Sequence, residues 1–529
     1  MNEPGRCSES SMPRCPTVAL GLLFALACSC APPGDAHREQ LRDPGLERWI
    51  RRQSQASAER LLRNVSSGAT VEKRLETKFV ADDRMELVRD ALRARDGRLR
   101  LVGELLVQTV TAAPGSVVAA PAGKPPEPDY FFHWTRDSAL VMDVLITRLR
   151  TGPPAGRQVI RQRLEEFVSF TRKLQESQVP TGLGEPRVNA DGTADFLKWS
   201  RPQHDGPALR ALTLLRYRED LEPGAAKALL EDVIRRDLDF IRERWSKDAF
   251  DLWEEYRGQD YYTRVVQLSA LEAGARNDPA RSVVYSEGAG KIAEALEAQW
   301  LPEQGIYGFG AGTRAYWDGT RKEKPGRNLD AAVLLAVLHG KRVVGRHSVL
   351  DDRVLSTAVK LEDQFDRLYA INRTRAPDEG VAMGRYEGDD YYGGNPFQLI
   401  TLCYAELHYR LAAALVVGNR VDVTRWDLEF LSRALTRSGS GARLAADEGL
   451  PDAFREPLIR GLILRGDDLL RTLRRHTPES GELSEQFDKE TGRPVSGRDL
   501  SWSHAALLTA VEARRAALEQ YHLLLEARP

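Results

Sequence analysis

The hydrophobic positions of this chain recur mostly at helical spacing. Ile160, Leu164, Phe167, Val168 and Leu174 fall on one stripe of a helix, as do Leu230, Val233, Ile234, Leu238 and Ile241. The stretches 136–150, 207–216, 329–339, 396–416 and 502–526 are long and apolar-rich and read as further helices. Clean two-residue alternation is rare, so few strands are expected. Polar connections rich in Gly, Pro, Asp and aromatics run between the helices, at 121–135, 178–206, 302–327 and 376–395. Connections of that length in a compact domain generally carry function. Residues 66–115 are less legible, with helical Arg/Leu/Glu patterns and a short strand expected at Val107–Thr111. No internal repeat is visible.

The start of the chain has its own pattern. Arg6 and Arg14 precede a short apolar run, Val18 to Ala27, which ends at Ala25-Leu26-Ala27-Cys28. A basic start, a short apolar core and small residues before the break describe a secretory signal. The run is too short to span a bilayer, which takes roughly 20 residues. The small-residue-then-Cys ending resembles a bacterial lipoprotein cleavage site. Residues 1–27 are therefore expected to be a signal peptide with a lipid on Cys28, residues 28–44 a linker, and residues 45–529 one catalytic domain. Localisation is expected at the cell envelope, or outside the cell if no lipid is attached. No other run suggests a transmembrane helix.

Composition narrows the picture a little. Hydrophobic residues make up 42% of the chain and charged residues 29%, with a net charge of -1, a globular balance without the basic excess that nucleic acid would require. Four of the five cysteines lie in the leader and Cys403 alone lies in the body, so no disulfide framework is expected. Cys403 reads as a small buried hydrophobe. The nine histidines show no metal-ligand spacing. Gly308-Phe309-Gly310-Ala311-Gly312 follows no apolar strand and reads as a turn rather than a nucleotide loop. The sequons at Asn64 and Asn372 read as incidental.

Five segments gather aromatics, carboxylates, Arg and Gly more densely than a core requires. They are Asp129-Tyr130-Phe131-Phe132-His133-Trp134-Thr135-Arg136-Asp137; Gly182-Leu183-Gly184-Glu185-Pro186 with Trp199-Ser200-Arg201-Pro202-Gln203-His204-Asp205-Gly206-Pro207; Asp251-Leu252-Trp253-Glu254-Glu255; Gly384-Arg385-Tyr386 with Asp389, Tyr391 and Tyr392; and Ser484-Glu485-Gln486 with Ser501-Trp502-Ser503. Aromatic faces suit the C–H faces of a pyranose, and Asp and Arg suit its fixed pattern of hydroxyls. Taken alone, the composition reaches only a candidate carbohydrate site, because acidic-aromatic loops also arise as solvated turns.

In this order, the five segments resemble the catalytic domain of fungal-type glucoamylases, glycoside hydrolase family 15, over most of residues 118–515. The resemblance implies an all-α (α/α)6 barrel with its active-site pocket at one end. It implies Glu254 as general acid and Glu485 as general base of an inverting exo-hydrolase that releases β-glucose from non-reducing ends of α-1,4-glucans, with slower α-1,6 cleavage. It also implies substrate contacts from Tyr130, Trp134, Arg136, Asp137, Trp199, Arg201, Trp253, Glu255, Arg385, Asp389, Tyr391 and Trp502. Two carboxyl groups and a water suffice for this chemistry, so no cofactor and no metal is expected. The expected partner is the glucan substrate, with no nucleic acid, membrane contact only through the lipid, and a monomeric chain.

Some positions depart from the fungal pattern. Phe397 stands where a Trp is usual, and His133, His204 and His504 replace other residue types, which bears on chain-length preference. No separate starch-binding domain is visible. Two other readings stay open: an exo-glucosidase for trehalose, isomaltose or dextran, and a non-catalytic glucan-binding protein on the same barrel.

Overall fold

A computed structural model describes residues 41–94, 97–123, 127–316, 327–419 and 421–526, without the side chains of 311–316. The leader and Cys28 lie outside the described residues. Fourteen helices of eight residues or more are present among the described residues: α1 (Pro44–Asn64), α2 (Met85–Ala94), α3 (Thr135–Thr151), α4 (Pro154–Glu176), α5 (Asp205–Tyr217), α6 (Ala225–Arg244), α7 (Tyr261–Asn277), α8 (Ser282–Glu297), α9 (Ala332–His339), α10 (Asp352–Leu368), α11 (Gln398–Val416), α12 (Leu428–Arg437), α13 (Asp452–His476) and α14 (Ser501–Glu526).

The helices form two concentric rings. In the inner ring α3 packs on α5, α5 on α7, α7 on α9, α9 on α11, α11 on α14, and α14 returns to α3. Each inner helix has an outer partner: α4, α6, α8, α10, α13 and α1 respectively, with α12 filling the space between α10 and α13. This is the expected (α/α)6 toroid. Burial follows the layers. The inner helix α7 is buried without a break from Tyr261 to Leu271, and α11 from Gln398 to Tyr409. The outer helices bury one stripe only, as Ile160, Leu164, Phe167 and Val168 do on α4. The helix α11 is long and apolar enough to cross a membrane by composition, but it is mostly buried inside the ring.

Several expectations need correction. Residues 41–44 do not read as linker in the structure: Leu41 is buried, the Asp43 carboxylate caps α1 through the Leu46 N–H at 2.9 Å, and Pro44 opens the helix. Strands are short but more numerous than expected. Residues 70–111 form an antiparallel sheet in the order β1 (Thr70–Glu76), β3 (Leu105–Thr111), β2 (Leu99–Val102), and α2 packs on it. The strand expected at Val107–Thr111 is part of β3, and the helical pattern belongs to α2 alone. Val80, Val88, Leu99, Leu106 and Phe196 form a small core under this sheet, separate from the main one. The stretch read as a turn at 308–312 carries the start of a strand, Gly310–Tyr316. Asn64 and Asn372 are buried and donate to Ser501 Oγ and the Phe365 carbonyl.

Candidate active site

The segments that enter the six inner helices bond to one another, and all five chemistry-bearing segments are among them. The first enters α3. Strand β4 (Phe132–Trp134) pairs with β5 (Arg187–Asn189), and α3 starts immediately after Trp134. Arg136 and Asp137 therefore sit on the first turn of α3, both buried. The Arg136 guanidinium donates to Gln203 Oε1 at 3.0 Å, Asp205 Oδ2 at 2.6 Å and Glu254 Oε1 at 3.3 Å. Burial pushes the Asp137 carboxyl up to about 7 despite the adjacent Arg136 charge.

Glu254 sits at a strained turn before α7, with φ of 62°. Its N–H donates to the Asp251 carbonyl at 2.9 Å, and the Glu254 carbonyl accepts the Ser200 hydroxyl. The Asp251 carboxylate accepts the N–H groups of Glu255 and Tyr256 at 2.7 and 3.0 Å, which closes the turn. Four donors meet the Glu254 carboxylate: the indole N–H groups of Trp134 and Trp199, each at 2.9 Å, the Gln203 amide at 3.0 Å, and Arg136. The neighbouring Trp253 donates instead to Asp330 Oδ1 at 3.0 Å.

Glu255 faces the segment before α11. It accepts from Arg385 Nη2 at 2.9 Å and from the Tyr386 hydroxyl. Arg385 also donates to Asp389 Oδ2 at 2.7 Å, and Asp389 accepts the Tyr391 N–H at 2.9 Å. The Tyr391 hydroxyl bonds the Tyr130 hydroxyl, and Tyr130 lies 3.3 Å from both oxygens of Glu485. Glu485 is clamped at both backbone groups: its N–H donates to Gly497 at 2.7 Å, and its carbonyl accepts the Gln398 N–H at 3.1 Å. The Ser496 hydroxyl donates to its carboxylate. Burial pushes the Glu485 carboxyl up to about 7, with Ser496, Arg385 and Tyr130 pulling the other way.

The two carboxyl groups have separate donor sets, linked by one aromatic pair. Tyr130 contacts Glu485, Trp134 contacts Glu254, and the two rings meet edge to face at 5.5 Å. The fold thus brings residues distant in sequence around one site. Trp502, on α14, lies 5.7 Å from the Arg136 guanidinium, and its indole N–H is buried with no acceptor among the described residues. Arg201 stands apart from the carboxyl pair. Its guanidinium donates to Glu185 at 2.6 Å, Asp195 at 2.7 Å and the Leu197 carbonyl at 2.8 Å.

The departures are accommodated in the protein itself. Phe397 packs on Trp253 with ring centroids 6.1 Å apart. His133 accepts the Val117 N–H at 3.0 Å, burial holding its imidazole down to about 3. His504 bonds Ser57 at 2.9 Å, and His204 packs on Phe240.

Some contributors escaped the sequence reading. Gln203, Asp205 and Tyr386 lie inside the chemistry-bearing segments, and that placement is the signal the sequence carries for them. Ser496, Asp330 and Arg187 had none. Arg187 lies 3.4 Å from the centre of the Trp199 ring and 5.1 Å from that of Trp134, against both indoles that hold Glu254.

Comparison with known proteins places this chain in a family. Residues 93–512 match the sequence profile of glycosyl hydrolases family 15. Glucoamylase 1 of Rhizopus oryzae is 34% identical over 406 residues, 74% of this chain and 65% of that protein, so the chain spans just under two thirds of that relative's length. Glucoamylase-1 of Schizophyllum commune is 33% identical over 447 residues, 80% of this chain and 73% of the relative. The solved structure of the family 15 glucoamylase from Hypocrea jecorina superposes with a TM-score of 0.67 at 28% identity, covering 76% of this chain and 67% of that one. With this match over most of the chain, the protein belongs to glycosyl hydrolases family 15 and is a glucoamylase-like hydrolase.

Proposed function

We propose that the protein is an inverting exo-glucosidase that releases β-D-glucose from the non-reducing ends of α-1,4-linked glucans, with slower action on α-1,6 links. The observation that carries this reading is the pair Glu254 and Glu485, each in its own donor set and joined through the Tyr130–Trp134 contact. Glu254 is the acid: it gives its proton to the glycosidic oxygen as the C–O bond breaks. Glu485 is the base: it takes a proton from water as that water bonds the anomeric carbon from the opposite face. The products are β-glucose and a glucan one residue shorter. Inversion of this kind needs two carboxyl groups roughly 6.5–9.5 Å apart, with the water between one of them and the sugar.

Arg136, Asp137, Glu255, Arg385 and Trp502 are proposed sugar contacts, with Tyr130, Trp134, Trp199, Trp253, Asp389 and Tyr391 forming the walls. Arg201 acts through Glu185 and Asp195 in this reading. Proton NMR of a maltoheptaose digest tests the proposal, with trehalose, isomaltose and dextran in parallel. Early β-glucose is expected, with a loss of roughly 10²–10⁴-fold in Glu254→Gln and in Glu485→Gln. Early α-glucose would overturn the inverting mechanism. Faster release from trehalose, isomaltose or dextran would reassign the substrate, and binding without hydrolysis would leave a glucan-binding protein.

The leader sequence supports export with a lipid on Cys28. Substituting Cys28→Ser should move the protein from the membrane fraction to the soluble one; unchanged partitioning would refute the anchor.

A further inference from the structure

The sheet at 70–111 brings one side chain into the neighbourhood of the site. Lys73 lies at the middle of β1, opposite Gln108 on β3, and is buried. Its ammonium bonds Asp129 Oδ2 at 3.0 Å and stands 3.0 Å from the centre of the Phe132 ring. A buried lysine is costly unless its charge is met, and here a carboxylate and an aromatic face meet it. The family match begins at residue 93, so β1 lies outside it.

The segment that Lys73 grips is the one that serves both carboxyl groups. Asp129 also accepts the Phe131 N–H at 3.0 Å, which shapes the turn into Tyr130. Tyr130 bonds Glu485, and Trp134 donates to Glu254. Phe132 lies between them in sequence, and its ring meets that of Trp134 at 5.7 Å. A second cation, Arg187, stands 4.2 Å from the centre of the same Phe132 ring. The segment that follows β1 is tied to the site: Val80 bridges Leu197, and Lys198 N–H donates to the Phe79 carbonyl at 2.9 Å, immediately before Trp199.

We propose that Lys73 is a positioning residue for both catalytic carboxyl groups, fixing residues 129–134 so that Tyr130 and Trp134 hold Glu485 and Glu254 in register. The proposal rests on the catalytic roles assigned above. Burial lowers the Lys73 ammonium to about 8 against the pull of Asp129, so it keeps its charge at neutral pH. Arg187 and Asp195 are the other charges that act on it.

The test is steady-state kinetics of the full chain on maltoheptaose. In Lys73→Met, kcat should fall about tenfold, since small misplacement of reacting groups is costly. KM should change less than kcat, because the proposed sugar contacts Arg136, Asp137, Glu255 and Arg385 lie outside the segment that Lys73 grips. Lys73→Arg should recover most of the loss. In a Tyr130→Phe background, Lys73→Met should cost less than it does in the wild type, because only the route through Trp134 is left for it to act on. A folded Lys73→Met with unchanged kcat, or a full additional loss in the Tyr130→Phe background, would overturn the proposal. If Lys73→Met does not fold, Asp129→Asn, which removes the charge of its partner, is expected to show the same pattern.

A second readout is independent of turnover. In ¹³C-carboxyl NMR, with the Glu485 signal identified by its loss in Glu485→Gln, the Glu485 midpoint should rise in Lys73→Met as the Tyr130 hydrogen bond loosens. An unchanged midpoint would overturn the positioning role even if the wild-type protein hydrolysed none of the glucosides tested, an outcome that would instead defeat the catalytic reading.

Discussion

Glu485 carries the sharpest pH consequences at the residue scale. Its carboxyl is raised to about 7 by burial, and the Ser496 hydroxyl counters that by bonding the ionised form. Removing the hydroxyl in Ser496→Ala should therefore move the acidic limb of kcat/KM to higher pH, read from pH–rate profiles of the free enzyme. A limb that stays in place or moves down would show that Ser496 does not stabilise the carboxylate. Linkage gives a second expectation. A raised carboxyl favours the folded state below its unfolded midpoint, and that contribution is lost as pH rises through the folded value. Neutral glutamine escapes the loss, so Glu485→Gln should be more stable than wild type at pH 8 by on the order of 2–3 kcal/mol, and much less so at pH 4, in denaturant titrations. Residue identity was the most legible level of the site. Glu254, Glu485 and their aromatic neighbours stood in recognisable motifs, whereas Ser496 is one serine in a loop whose meaning comes only from the fold.

Helix α13 shows at the element scale how packing hides from a sequence pattern. It lies between α11 and α12, and two glycines allow the close approach. A Cβ at Gly461 would overlap the Ala434 carbonyl oxygen, and one at Gly466 would overlap the Tyr409 ring. Tyr409 cannot easily swing aside, since its hydroxyl bonds Asp467 at 2.7 Å. Alanine gains roughly 1 kcal/mol in helix propensity, but overpacking costs about 1–3 kcal/mol. Both Gly461→Ala and Gly466→Ala should thus lower the melting temperature, and a rise in either would refute the close contact. The buried acids of α13, Asp467 and Asp468, pair with Arg514 and Arg437, so a buried helix reads as a charged one. Strand β1 misleads in the same way. Its inward positions are Val71, Lys73 and Leu75, and the lysine breaks the apolar alternation that would have announced a strand. The helices α3, α5, α11 and α14, by contrast, were legible because their apolar runs are long.

At the scale of the whole molecule, the closed inner ring bears on the proposed exo mode of attack. Arg136 is tied to Gln203, Asp205 and Glu254 across the segments that open α3, α5 and α7. Under the proposed exo mode, a chain end enters the site and a chain interior does not. Digestion of amylose should yield glucose as the first product, with iodine staining falling slowly relative to reducing sugar; early maltooligosaccharides would instead indicate an open cleft. The toroid itself came from motif resemblance more than from periodicity, because helical spacing says how many helices exist and not which neighbour each one takes.

Ring closure also sets an order in time. Helix α1 lies at the start of the described chain, yet its Asn64 and Ser57 bond Ser501 and His504 on the last described helix, and α14 bridges α11 to α3. During synthesis the ribosome delivers α1 more than 400 residues before those partners exist, so the earliest helix waits for the latest, and contacts this distant in sequence form slowly. The loop of Glu485 emerges just ahead of the closing helix, and the Leu500 N–H binds it back to Leu483 at 2.9 Å. A nascent chain therefore carries Glu254 long before Glu485, and on the roles proposed for them both carboxyl groups are in place only when the ring shuts.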